Sequence, residues 1–91
     1  MKANATVQVQ SNDVTVTEWS FAPGEETGHH IHTHKYVIVP LSSGTLRIAE
    51  EDHVRETQLE TGASYEGVIG TAHNVINAND YEFRFIEIEL R

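Results

Sequence analysis

His29-His30-Ile31-His32-Thr33-His34 sets four imidazoles in six residues and opens a run that continues through Lys35-Tyr36-Val37-Ile38-Val39-Pro40 to Leu41. Such a stretch, rich in Ile, Val, Thr and Tyr, reads as a strand. Side chains alternate faces along a strand, so His30, His32, His34 and Tyr36 should project to one side and Ile31, Thr33 and Lys35 to the other. Same-face neighbours stand about 6.6 Å apart, near enough for two imidazoles to reach one ion with bonds of about 2.1 Å. His30 and His34 would stand about 13 Å apart, too far to share it comfortably. A third ligand is therefore expected from another strand. His73 is well placed for it, following Gly70-Thr71-Ala72, where a glycine lets the backbone turn sharply. His30, His32 and His73 are the expected metal ligands. His34 is expected to line the cavity or handle protons, and with Tyr36 it forms the candidate catalytic pair. His29 faces away from the row and His53 sits in the turn Glu51-Asp52-His53, so both are read as surface residues.

Outward from this stretch the chain keeps one rhythm. Short runs rich in Val, Ile, Thr, Tyr and Phe alternate with Gly, Asn, Asp and Ser, as in an all-β sandwich or barrel. About eight runs are expected: Thr6 to Gln10, Asp13 to Phe21, His29 to Leu41, Thr45 to Glu50, Val54 to Glu60, Ser64 to Ile69, His73 to Ala78 and Tyr81 to Leu90. No window carries a 3.6-residue apolar period, so essentially no helix is expected. Nothing marks a domain boundary, and residues 1–91 are read as a single domain.

Composition narrows the function. With 91 residues the core is small, and a bound metal or a partner subunit would supplement it. The absence of cysteine excludes disulfides, thiolate nucleophiles and Cys-ligated zinc. Fourteen acidic against six basic residues give a net charge of −8 with no basic stripe, which argues against nucleic acid. The first residues lack the apolar run of a signal peptide and no membrane span is visible, so a cytoplasmic location is expected. A homodimer is expected as well, with Thr6 to Gln10 available to pair at a sheet edge.

Two spacings carry a resemblance to a known family. Gly24 is followed by five residues, His30, one residue, His32 and later Gly44; Gly62 is followed by Gly70, two residues, His73, three residues and Asn77. Together they resemble the two signature motifs of the cupin superfamily over more than half the chain. The stretch from Glu18-Trp19 to Pro40-Leu41, with Ile86-Glu87-Ile88-Glu89, looks like the small single-domain cupins named for β-alanine degradation. The resemblance implies a double-stranded β-helix, or jelly-roll, barrel. Where the family's first motif usually places a glutamate ligand this chain has Tyr36-Val37, which implies the three-histidine variant known among cupins, including small dioxygenases that cleave diketones or oxidise thiols. The proline common in the second motif is Val68 here.

One divalent transition metal per chain is the expected cofactor: Fe2+, Ni2+, Zn2+ or Mn2+, among which imidazole ligands do not choose. Three neutral ligands would leave coordination positions open for a small-molecule ligand such as an organic acid or a diketone. The expected function is that of a mononuclear, Fe-type oxygenase or related enzyme; the alternative is a non-catalytic module that binds or senses a small ligand or metal. Tyr36 is read either as a hydrogen-bond donor to bound ligand or as an aromatic filling the barrel. Trp19, Phe21, Phe83 and Phe85 are read as wall and core, Asn77 as a support for the site, and Glu87 and Glu89 as solvated or at a subunit contact.

Overall fold

In Phe83-Arg84-Phe85 and in Tyr36-Val37-Ile38-Val39-Pro40 every second residue is buried, the period of a strand with one covered face. The computed structural model, which describes all 91 residues, repeats that pattern through nine strands and no helix. They are β1 (Asn4–Gln10), β2 (Val14–Phe21), β3 (His30–Ile31), β4 (Tyr36–Pro40), β5 (Gly44–Ala49), β6 (Val54–Leu59), β7 (Tyr65–Gly67), β8 (Ala72–Asn77) and β9 (Phe83–Leu90). One sheet runs β1-β2-β9-β4-β7 and the other β3-β8-β5-β6, with every pairing antiparallel. From β2 onward the chain passes back and forth between the two sheets, the winding of a double-stranded β-helix. No helix is long and apolar enough to cross a membrane.

The core lies between the sheets. Phe21, Ile38, Phe83 and Phe85 face it from one side, and Leu46, Ile48, Leu59 and Val75 from the other. Phe21 and Phe83 are cross-strand partners, both fully buried, and they fill one end. Asn77 closes that end: its amide donates to the carbonyls of Phe21 (3.1 Å) and Tyr81 (2.8 Å), and its oxygen accepts from Asn79 N–H (2.9 Å). Asn77 therefore secures the closed end rather than supporting the histidine site, four residues away along β8 on the same face.

The run His29 to Leu41, expected as one strand, is two. Between β3 and β4 the chain leaves the four-stranded sheet and crosses to the other, so residues His32 to Lys35 cannot keep one pleat. His32 still holds to the start of β8, accepting from Gly70 N–H at 2.7 Å and donating to Thr71 O at 2.9 Å. The crossing turns His34 out of the row that strand parity assigned to it.

The outer face of the five-stranded sheet is also apolar. Val9, Val16, Ile88 and Val37 lie side by side across β1, β2, β9 and β4, with Ile86 and Val39 paired beside them. At its edge β1 is exposed along its whole length, and its register slips between Val7 and Val9.

Candidate metal centre

Cross-strand register builds the centre. His30 and His73 are partners on β3 and β8, so both project to the same face of the sheet. His32, two residues after His30, projects to that face as well. The three Nε2 atoms converge: His30 to His32 is 3.0 Å and His32 to His73 is 3.2 Å. Nitrogens bonded to one ion at about 2.1 Å stand about 3.0 Å apart at right angles and about 3.4 Å apart at tetrahedral angles. The observed spacings fit either, and the donor set suits a transition ion.

The lone pairs are also presented correctly. His30 Nδ1 lies 2.9 Å from the carbonyl of Gly28, which can only accept, so the proton sits on Nδ1 and Nε2 is free to coordinate. Gly28 holds that carbonyl with φ of +87°, a conformation side chains rarely adopt, while its N–H donates to Asn74 Oδ1 at 2.9 Å. Burial pushes His32 and His73 down to about 4, helped by the neighbouring imidazoles, so both are neutral near pH 7. The Nδ1 of His73 is buried without a partner.

Tyr36 stacks on the His32 ring, with centroids 3.8 Å apart and planes tilted by 21°. Its other face lies against Gly67 on the paired strand β7, where a Cβ would collide with the ring. A glycine at 67 is thus what lets the tyrosine wedge His32 in place. Burial raises the Tyr36 hydroxyl's pKa and so keeps it a proton-bearing donor.

The centre opens into a cavity of about 830 Å³, large enough for a small organic ligand. Leu46, Ile48, Val75 and Phe85 line its apolar depth, and Trp19, Tyr36 and Tyr65 its wall. Burial pushes the Tyr65 hydroxyl up to about 12. His34 is not part of this wall: it is half exposed, with Nδ1 3.1 Å from Thr33 Oγ1 and 4.0 Å from Glu89 Oε1. Its expected cavity-lining role is corrected by the crossing between sheets. His29 and His53 are exposed, as the sequence suggested.

Glu87 and Glu89, expected in solvent or at a subunit contact, both line the cavity. Glu87 lies beside the centre, its Oε2 3.8 Å from His32 Nδ1, and accepts from the Trp19 indole N–H at 3.4 Å. Its signal was present in the sequence, since it shares the parity of Phe83 and Phe85, but the preference of carboxylates for water outweighed it. Arg55, also in the wall, carried no sequence signal.

A double-stranded β-helix with three converging imidazoles at its open end defines a small cupin-type centre. The chain belongs to the cupin family: residues 17–89 match the cupin domain. It is 48% identical over 90 residues to the beta-alanine degradation protein BauB of Pseudomonas aeruginosa, covering 99% of this chain and 95% of the relative. A cupin domain from Bordetella pertussis superposes with a TM-score of 0.97 at 46% identity, covering 99% and 94% of the two chains. A protein with a double-stranded β-helix domain from Klebsiella pneumoniae, 23% identical, shares the fold with a TM-score of 0.81 over 98% of this chain and 76% of its own.

Proposed function

We propose that this chain is a mononuclear metal enzyme of the oxygenase type that acts on a small organic acid or diketone. His30, His32 and His73 would hold one divalent ion, Fe2+, Ni2+, Zn2+ or Mn2+. The observation that carries the reading is the convergence of three Nε2 atoms, two of them on neutral buried imidazoles, at the head of a cavity of ligand size. When bound, such an ion is a Lewis acid with positions left open for ligand.

The chain's own residues would prepare those positions. The Gly28 carbonyl aims His30, and Tyr36, wedged by Gly67, aims His32. Tyr36 is the candidate catalytic donor, its hydroxyl able to hydrogen-bond bound ligand while keeping its proton. The apolar depth of the cavity excludes water. His34 lies outside the wall, and a proton-handling part for it would run through Glu89. The relative's name speaks of β-alanine degradation, in keeping with a small carboxylic acid as substrate.

The test is oxygen uptake by the Fe2+-loaded protein against a panel of small acids and diketones. Uptake with one substrate, lost in His73→Ala, is expected. Tight ligand binding with no uptake for any candidate and any of the four metals would make the chain a binding or sensing module instead.

A homodimer is proposed alongside. The apolar outer face through Val16, Ile88 and Val37 and the exposed edge β1 are the surfaces that a second copy would cover by two-fold symmetry. Sedimentation at micromolar concentration should give twice 10.2 kDa. A clean monomer there would remove the proposal.

A further inference from the structure

β9 turns two carboxylates into the cavity, and they differ in company. Glu89 faces a cation, Arg91 Nη2 at 3.3 Å. Glu87 faces none. Its side chain is 17% exposed, its hydrogen bond from Trp19 is long at 3.4 Å, and His32 Nδ1 at 3.8 Å is beyond hydrogen-bond reach. A carboxylate held away from water is costly unless a cation or strong donors meet it.

Arg55 on β6, in the opposite sheet, is the sole Lys or Arg in the cavity wall. Its Nε donates to Glu50 Oε1 at 2.8 Å, and its two terminal amino groups have no partner in the chain and stand at the half-exposed mouth of the cavity, open to a ligand. Tyr36, Tyr65, Glu87 and Arg55 all line this one cavity. The cavity thus carries two opposite charges on facing sheets, with tyrosines in the same wall and an apolar depth of Ile38, Ile48 and Phe85.

We propose that the cavity binds a small amino acid as its zwitterion, the ammonium group meeting Glu87 and the carboxylate meeting the free fork of Arg55. Ammonium to carboxylate and guanidinium to carboxylate are both charge-assisted pairs, the strong class of hydrogen bond. A simple acid would leave Glu87 unmet, and a diketone would meet neither Glu87 nor the terminal amino groups of Arg55. The inference rests on the reading that this cavity is the ligand site and narrows its organic acid to an amino acid; it does not require the metal.

Titration calorimetry on the full chain, with metal content measured on the same samples, tests it. Glycine, 3-aminopropanoate and 4-aminobutanoate vary the distance between charges, and propanoate and propylamine carry one charge each. At least one amino acid should bind about tenfold or more tightly than both single-charge probes. Glu87→Gln should weaken that amino acid by about tenfold and leave propanoate unchanged, while Arg55→Gln weakens both and spares propylamine. No binding by any amino acid, propanoate binding as tightly as the best of them, or indifference to Glu87→Gln overturns the proposal. So does loss of metal in Glu87→Gln, which would make Glu87 a ligand. Where a variant fails to fold, the wild-type comparison decides alone. A wild type that retains none of the four ions after loading yet keeps this selectivity sinks the metal reading and leaves this one standing; metal retained without selectivity does the reverse.

Discussion

Each of the three histidines would supply one nitrogen to an ion, and they are not held alike. His30 is aimed by a carbonyl and His32 by a stacked ring, while His73 Nδ1 has no partner at all. Replacing any of the three by alanine removes a third of the donor set, so stoichiometric metal retention should be lost in each. His34→Ala should keep the metal, because its ring lies outside the cavity wall. Plasma emission after identical purification reads both outcomes; loss in His34→Ala with retention in His73→Ala would place the ligands on one stretch of chain. His30, His32 and His73 were legible in the sequence because strand parity fixes a face and motif spacing brings the two strands together. Glu87 was not, because parity pointed inward and charge pointed outward, and only three-dimensional placement shows parity winning. Gly28 and Gly67 were silent too, since the roles of both depend on contacts with residues of another element or turn.

At the level of elements, alternation between apolar residues and turn residues was enough to show an all-β chain and nearly every strand. What it could not show was the break between β3 and β4. No glycine or proline interrupts His32-Thr33-His34-Lys35, and the crossing is imposed by the sheets on either side. Asn77 was likewise legible as a motif position but not as what it does. It ends β8 on the same face as His73 and Val75, where it ties β2, β8 and the turn before β9 by hydrogen bonds that are buried or partly buried. Asn77→Ala would leave two carbonyls and an amide without their partner, a loss of about 2–4 kcal/mol. Denaturant unfolding should show that drop with metal content per folded chain unchanged. A loss of metal at full stability would put Asn77 back at the site.

For the molecule as a whole, the two buried imidazoles set a pH dependence. In the folded, metal-stripped chain His32 and His73 bind protons at about 4, against 6.5 for a free side chain. As pH falls from about 6.5 the unfolded chain takes up protons that the folded chain refuses, so stability declines until about pH 4 and then levels off. Each histidine accounts for on the order of 2 kcal/mol of that decline. Glu87, raised by burial, works the other way, since protonating it on acidification relieves the folded state; two imidazoles outweigh one carboxylate. The melting temperature of stripped protein should therefore fall between pH 7 and pH 4, and less steeply in His73→Ala. A flat profile would mean that water reaches these rings freely. The strand order has a kinetic consequence as well. β9, the latest of the nine in sequence, sits in the middle of its sheet between β2 and β4. On a ribosome, β2 and β4 emerge long before the strand that joins them, so their edges stay open until Phe83 to Leu90 arrives. Closure of the barrel is thus a late event that depends on pairing across nearly the whole chain, and refolding should be slow for so short a protein.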